Sequence, residues 1–433
     1  MKYYALLAGA LALAGGVAEA QPRVFTLEEI FATAESNSAQ LQPYFTAQQE
    51  AERQMAVARS GRLPDVDVSL SVSYIGDGFT TRRDFSDYQK APIPHLGTGL
   101  SLNITQPVYT GGAISGAIDI AEMESTAARY RSDLQRDNIR FLLAGNYLDI
   151  YKCHNLLDVV RQNIGQAEQV LEEMRARHSQ GVALHNDVTR YELLVANLRL
   201  QETKLQNSLK ILNSSLVINA GLPEGTEVVP DTLMLSALPA KGNERSWQEA
   251  ATSAPAIQLA GKGVDISRKA EDIVRADYLP HIGIKAGWTM DGPILVEIPP
   301  INRNLSYWYV GVGVSYNLSS LFKTDRRLAK SRAATLRARQ ELEAARDNIE
   351  LGIRSDYTRY LEAFEELSTQ KKSVELADIN YRTVALRYNS GMALITDLLD
   401  AANAKLDAEQ KLVNARIDII YYHYKLLFTS GKI

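Results

Sequence analysis

The chain has 433 residues, a formal net charge of −4 and a single cysteine. This length has room for two or three ordinary domains, and the charge lacks the basic excess typical of nucleic-acid binding. A single cysteine excludes a disulfide framework, and we interpret Cys153 as a small apolar residue packed within a helix.

The first twenty residues have the organisation of a secretory signal peptide. Lys2 gives a positive start, Ala5 to Val17 form a short apolar run, and Ala18-Glu19-Ala20 offers small residues where a signal peptidase cuts. We therefore predict a cleavable signal peptide over residues 1–20 and export of the chain. No later apolar stretch approaches the roughly 20 residues of a membrane-spanning helix.

The remainder of the chain repeats its own pattern. Arg62-Leu63-Pro64-Asp65 is followed about 216 residues later by Tyr278-Leu279-Pro280-His281. Gly181-Val182-Ala183-Leu184 is followed about 210 residues later by Gly391-Met392-Ala393-Leu394. Such similar offsets predict a tandem duplication, with repeats over residues 21–236 and 237–433 and a turn-rich linker at their junction.

Each predicted repeat has the same order of elements: a helix, two strands, a very long helix, a short break and another helix. The first repeat has a helix from Thr26 to about Ser60, strands over about 65–74 and 97–108, and helices over about 112–178 and 187–220. The second has a helix over about 246–277, strands over about 281–289 and 307–318, and helices over about 323–389 and 397–430.

The four predicted strands alternate apolar and polar residues with period two, as in Val66, Val68, Leu70 and Val72. A single strand of this kind is typical of a water-soluble β-sandwich with one buried face. Four of them, each near the roughly 9–11 residues that a tilted strand needs to cross a bilayer, favour a membrane sheet. Four strands cannot close on themselves, so two, three or four copies of the chain would have to form one barrel.

The two long predicted helices contain no proline and carry apolar or small residues at alternating steps of three and four. This spacing is typical of a coiled-coil seam. A helix of this length has no room to fold over a core of its own, so we expect it to pack beside other helices. The seam positions include Phe141, Ala144, Leu148 and Tyr151, then Thr335, Ala338, Leu342, Ala345 and Ile349.

In combination these features resemble the TolC family of outer-membrane efflux proteins. The resemblance begins at Phe25-Thr26-Leu27-Glu28-Glu29 and rests on the duplication, the two glycine-to-aspartate turns and Gln106-Pro107-Val108-Tyr109-Thr110-Gly111-Gly112. It implies an α+β membrane protein with four transmembrane strands and long coiled-coil helices in each chain. It further implies a homotrimer, with a twelve-stranded β-barrel continued by a periplasmic α-helical barrel.

The resemblance also implies a channel entrance at the paired turns, which are marked by Gly181 and Gly391. Asp397 and Asp400 match two carboxylates that surround this entrance in the family. Judged without the resemblance, Asp397 is equally suited to capping the start of its helix, and Asp400 to being a solvated charge. Both interpretations remain open at this stage.

Two further residues, Asp187 and Tyr388, match the family's latch, which holds the entrance closed. The family's latch arginine lies two residues after the second glycine, where this chain has Ala393. Arg387 and Arg177 are the two candidates to replace this arginine.

The implied function is passive conduction of substrates to the exterior, in a tripartite efflux or secretion system. The implied partners are a periplasmic adaptor, an inner-membrane pump of the RND or ABC type, and outer-membrane lipid. The alternative is an exported coiled-coil scaffold or adhesin without a pore. The sequence does not specify the cargo.

We expect neither an enzyme nor a cofactor. The chain has no phosphate-binding loop that ends in Gly-Lys-Ser/Thr and no arrangement typical of a nucleophilic catalyst. His178 and His185 flank the first turn, but two histidines separated in this way are more often surface residues than metal ligands, so no metal site is predicted.

Overall fold

The computed structural model describes residues 23–232, 237–297 and 299–433. The predicted signal peptide and part of the predicted linker lie outside these residues. The chain divides into two compact units. The sheet unit consists of Tyr44–Leu134 and Ser253–Asn348, and the helical unit consists of the residues up to Pro43 with Gln135–Thr252 and Ile349–Ile433.

The described elements follow the chain in this order: β1 (Arg23–Phe25), α1 (Leu27–Asn37), α2 (Gln42–Ser60), β2 (Asp65–Tyr74), β3 (Gly78–Thr80), β4 (Gln89–Ala91), β5 (Leu96–Tyr109), α3 (Ala113–Ser179), α4 (His185–Ala220), β6 (Val228–Pro230), α5 (Glu244–Ala251), α6 (Pro255–Ala276), β7 (His281–Gly292), β8 (Leu305–Ser315), α7 (Ser320–Asn389) and α8 (Ile395–Thr429). Helices α3 and α7 are the two long ones, with 67 and 70 residues.

The sheet unit contains an antiparallel sheet of four strands in the order β2-β5-β7-β8. Its register aligns Val68 with Leu102, Leu102 with Trp288, and Trp288 with Trp308. Residues opposite one another in a ladder point to the same side, so these four side chains share one face. The alternating apolar residues of the four strands therefore form one continuous apolar face.

The other face of the sheet is polar. Asp65 lies opposite Thr105, which lies opposite Lys285. The Tyr309 hydroxyl contacts the Asn103 amide oxygen at 3.5 Å on the same face. Strands β2 and β8 form the two edges, and each is paired on one side only within the sheet.

The junction between β5 and α3 depends on glycine. Gly111 has a φ of 64°, a conformation that residues with a side chain rarely adopt. A Cβ atom at this position would lie 2.8 Å from the carbonyl oxygen of Ala276, at the end of α6. Any larger residue would therefore push apart the start of α3 and the end of α6.

Two predicted helices are wrong as single elements. The predicted helix from Thr26 to Ser60 is divided into α1 and α2, because Ser38 adopts an extended conformation after α1. The predicted helix over 246–277 is divided into α5 and α6, because Pro255 starts a new helix and holds Ala254 out of the helical region. Pro43 and Pro255 were the sequence signals for both divisions.

Three smaller features also differ from the sequence expectation. The segment between the first two strands contains the short hairpin of β3 and β4. The last strand was expected to extend to about residue 318 but ends at Ser315, because the Asn317 side chain accepts hydrogen bonds from the Ser319 backbone N–H and hydroxyl and starts a turn. Strands β1 and β6, which the sequence did not suggest, form a parallel pair.

Tyr147 joins this pair of strands to α3. The ring is fully buried, and its hydroxyl donates to the carbonyl of Phe25 at 2.8 Å and accepts from the backbone N–H of Asp231 at 2.7 Å. Burial is the main reason that the pKa of Tyr147 is raised to about 12. The hydroxyl therefore stays protonated and keeps both hydrogen bonds at any physiological pH.

The helical unit contains an apolar cluster to which α3, α4 and α8 contribute buried residues, with α7 packed against it. We call this cluster the turn core, because its helices lead to the two glycine turns. Its buried members are Val160, Ile164, Ala167, Leu171, Met174, Val188, Tyr191, Val195, Leu198, Ile395 and Leu398.

A buried lysine lies beside the turn core. The Lys405 side chain is only 10% exposed, and its Nζ lies 3.3 Å from a carboxylate oxygen of Asp378 and 3.9 Å from one of Glu409. It also donates to Gln166 at 3.2 Å and lies over the Tyr381 ring. Lys405 therefore links α8 to both α3 and α7 within the helical unit.

Replacing this lysine should destabilise the helical unit strongly. Lys405→Ala leaves Asp378 and Glu409 partly buried without their shared cation, and removing one partner of a buried ion pair costs about 3–5 kcal/mol. We expect a loss near the lower end, since Asp378 keeps Arg382 as a partner. Denaturant unfolding followed by circular dichroism measures it.

The matched control is Lys411→Ala on the same helix, because Lys411 forms an exposed pair with Asp407. An exposed pair contributes about 0.2–1 kcal/mol. Equal losses in the two variants would contradict a special contribution from Lys405.

Candidate functional site

The two glycine turns connect α3 to α4 and α7 to α8 with the same backbone geometry. Gly181 has a φ of 75° and Gly391 a φ of 73°. The N–H of Val182 donates to the Arg177 carbonyl at 2.9 Å, and the N–H of Met392 donates to the Arg387 carbonyl at 2.7 Å. These bonds close the helix ends as Schellman motifs, in which glycine readily supplies the left-handed residue.

Asp397 caps the helix that follows the second turn. Its carboxylate accepts a hydrogen bond from the backbone N–H of Leu394, the residue before α8, at 3.0 Å. This contact satisfies a donor that would otherwise lack a partner in the helix, and it places a negative charge at the positive end of the helix dipole. The capping interpretation of Asp397 therefore has direct structural support.

Asp397 and Asp400 are both exposed in the first turns of α8. One capping bond occupies only part of the hydrogen-bonding capacity of a carboxylate. Capping and a role in an entrance are therefore compatible for Asp397, and Asp400 remains available to solvent and ions.

Charged and phenolic groups from three helices meet beside the turns. Tyr388, near the end of α7, is half-buried, and its pKa is raised mainly by burial and further by the charge of Asp187 on α4. The charge of Arg177 on α3 acts in the opposite direction. Asp187 and Arg177 therefore both lie close enough to act on the Tyr388 hydroxyl.

Arg177 also reaches the second turn directly. Its Nη1 donates to the carbonyl oxygen of Asn389 at 3.4 Å, a long hydrogen bond. Arg387, the other candidate cation, is exposed. Of the two arginines that are candidates to replace the family arginine, Arg177 is the one that contacts the opposite turn.

The turn core lies behind these residues. Tyr191 is almost fully buried, and burial together with the nearby Tyr381 raises its pKa. The ring of Tyr388 packs against the same core. The position of Tyr388 is therefore set by apolar packing as well as by its charged neighbours.

Four apolar side chains at the turns are exposed, and the sequence interpretation gave them no role. They are Val182, Leu184, Met392 and Leu394, at 75%, 70%, 65% and 69% exposure. Polar residues are usual at helix turns. The two apolar residues in each turn were therefore the sequence signal that could have identified these positions. Both turns present them at matching positions of the repeated Gly-X-Ala-Leu pattern.

None of the helices in the described ranges is both long and apolar enough to span a membrane. Within the same ranges, no three or more histidine, cysteine, aspartate or glutamate side chains gather in a group suited to a metal ion.

Long paired helices that end in matched turns, together with a sheet that has one apolar face, define a class of helix-and-sheet proteins. The family model described as outer membrane efflux protein matches residues 31–221 and 247–420. The chain belongs to the outer membrane efflux protein family, as the sequence predicted. It is therefore an efflux channel protein of the outer membrane.

Individual relatives are distant but cover nearly the whole chain. The outer membrane efflux protein BepC of Brucella suis biovar 1 is 21% identical over 99% of this chain and 90% of its own. The outer membrane protein TolC of Vibrio cholerae is 22% identical, covering 91% and 88%. The crystal structure of VceC from Vibrio cholerae has a TM-score of 0.76 at 16% identity, covering 94% of this chain and 96% of VceC.

Loss of the Arg177 contact should loosen the second turn. In Arg177→Ala the Asn389 carbonyl loses a charge-assisted donor, and we expect about 1 kcal/mol of local destabilisation for this long, partly exposed bond. Backbone amides around Gly391 should then exchange hydrogen roughly five-fold faster, as measured by mass spectrometry.

Arg387→Ala is the control, since it removes an exposed arginine from the same region. Similar acceleration in both variants would show that the contact of Arg177 with Asn389 contributes nothing specific.

Proposed function

We propose that three copies of this chain assemble into one channel, which conducts substrates passively across the outer membrane from an inner-membrane pump and a periplasmic adaptor. The single observation that carries the proposal is the four-stranded sheet with one continuous apolar face and two open edges. The signal peptide over residues 1–20 belongs to the same proposal, as the means of export.

The sheet supports assembly into a closed ring. Strand directions alternate across β2, β5, β7 and β8, so β8 of one copy meets β2 of the next in an antiparallel sense. Closure by this contact satisfies the backbone groups of both edges, each of which would cost several kcal/mol if left unpaired in hydrocarbon. The family resemblance selects three copies, which gives twelve strands with the apolar face outward and Asp65 and Lys285 towards the lumen.

The internal symmetry of the chain supports the proposed duplication. Each half contains a helix pair, two strands of the sheet, a long helix, a glycine turn and a final helix. The division of the two predicted single helices makes the halves more alike, because α1 and α2 then correspond to α5 and α6.

Exposed apolar residues on the long and final helices support contacts between copies. Leu193, Leu200, Ile211 and Ile218 lie on α4, and Leu336, Leu351, Leu376, Ile379 and Leu386 lie on α7. Side-by-side packing of these helices with those of neighbouring copies would remove their side chains from water. We therefore infer a helical barrel that continues from the sheet into the periplasm.

The turns would form the periplasmic end of that barrel. The exposed pairs Val182 with Leu184 and Met392 with Leu394 offer apolar contacts to a periplasmic adaptor. We assign closure of the entrance to Asp187, Tyr388 and Arg177, with Arg177 in place of the missing family arginine. Asp397 and Asp400, repeated in three copies, would surround the entrance with carboxylates.

The decisive experiment measures the assembly and the conductance of protein extracted from outer membranes. Native mass spectrometry should give three chains, and planar bilayers should show discrete openings that prefer cations. A soluble monomer that leaves bilayers silent would overturn the proposal and favour a pore-free coiled-coil scaffold or adhesin.

Two sets of variants separate the entrance role of the carboxylates from capping. Asp397→Asn with Asp400→Asn removes both charges but keeps a side-chain oxygen that can accept the Leu394 N–H. We expect it to weaken cation preference and block by polyvalent cations, because a ring of carboxylates favours cations.

Asp397→Ala with Asp400→Ala removes the hydrogen bond to the Leu394 N–H as well, and should lower stability by a further 0.5–1.5 kcal/mol, roughly the net value of one hydrogen bond. If the asparagine pair left ion selectivity unchanged while the alanine pair lowered stability, capping alone would explain Asp397.

A further inference from the structure

The first glycine turn brings two histidines together. His178 lies in the last turn of α3 and His185 is the first residue of α4. Their ring centroids lie 5.5 Å apart, with an angle of 41° between the ring planes. Both side chains are exposed to solvent. The sequence alone favoured surface residues over metal ligands for this pair, whereas the structure places the two rings side by side.

The orientation of His178 is held by the turn itself. Its Nδ1 lies 3.0 Å from the carbonyl oxygen of Ala183. A carbonyl oxygen only accepts, so Nδ1 carries the proton in this hydrogen bond and Nε2 is left with its lone pair. A hydrogen bond from one ring nitrogen to a backbone carbonyl is the usual way in which proteins orient a metal-binding histidine.

The separation of the rings is compatible with a shared ion. Zn–N bonds measure about 2.0–2.1 Å, and each ring centroid lies about 1.2 Å beyond its nitrogen, so two imidazoles on a tetrahedral ion have centroids about 5 Å apart. The observed 5.5 Å is close to this value. A shared ion also requires the free nitrogen of each ring to point to one position, which the His185 side chain reaches by rotating towards His178, whose ring the Ala183 carbonyl holds in place.

We propose that His178 and His185 chelate one borderline divalent metal ion, of which Zn²⁺ is the probe, at the first turn. Imidazole favours zinc, copper and nickel over magnesium and calcium, which prefer oxygen ligands. With two protein ligands, water completes the coordination, and the ion exchanges readily with solvent.

The second turn provides an internal comparison. The second turn follows the first by about 210 residues, so the positions that correspond to His178 and His185 are Tyr388 and Ile395. Neither side chain is a ligand for such an ion, so the proposed site is confined to the first turn. A bound ion would brace the end of α3 against the start of α4. Metal binding is a property beyond the proposed conduction of substrates.

Isothermal titration of the purified protein with Zn²⁺ tests this proposal. We expect saturable binding of one ion per chain, with affinity reduced at least ten-fold in His178→Gln and in His185→Gln. His281→Gln is the matched control, because His281 is also exposed but lies at the start of β7. Mg²⁺ at the same concentration should not bind this site, and Zn²⁺ binding should weaken in acid because protons compete for the ligand nitrogens.

Equal Zn²⁺ affinity in wild type and His185→Gln would overturn the proposal, as would a loss of affinity in His281→Gln alone. The titration does not require a conducting pore, so the two proposals fail separately. A silent bilayer with intact Zn²⁺ binding counts against the channel only. A conducting protein with no histidine-dependent Zn²⁺ binding counts against the metal site only.

Discussion

The turn core is the interaction on which the candidate site depends. Residues of α3, α4 and α8 bury their apolar side chains in this one cluster, with α7 packed against it, and the cluster lies just before both glycine turns. Because the core holds the four helices together, Arg177 can contact Asn389 and approach Tyr388, although about 210 residues separate them. Lys405 adds a polar link to the same helices, and its burial makes that link costly to break.

The four-stranded sheet also depends on contacts with something outside itself. Its four strands have one apolar and one polar face, yet no pairing within the sheet occupies the outer edges of β2 and β8. An open sheet with an apolar face is a poor solution in water, because it leaves both apolar area and backbone groups unpartnered. The open edges and the apolar face of a single chain therefore need partners, and this is the physical basis for proposing a ring of copies.

Much of the local structure was predictable because it follows from short-range patterns. Period-two alternation located the strand at Asp65–Tyr74, and proline-free seams located α3 and α7 within three residues of their ends. The divisions at Ser38 and before Pro255 were not predicted, because helix-forming residues continue on both sides of each break and only a single proline marks it. The parallel pair of β1 and β6 was missed because three-residue strands carry almost no periodic signal.

The sequence by itself determined the period of each element, the glycine turns and the family, because these depend on neighbours along the chain. Tertiary structure alone decided that Arg177 rather than Arg387 reaches the opposite turn, that Lys405 is buried between two carboxylates, and that the two histidine rings meet. The cap that Asp397 provides for α8 is instead a local contact between residues three apart, and the sequence had already offered it as one interpretation. Helical spacing shows which residues share a face, but the partner facing them depends on how separate helices pack, and that packing is not encoded by any single segment.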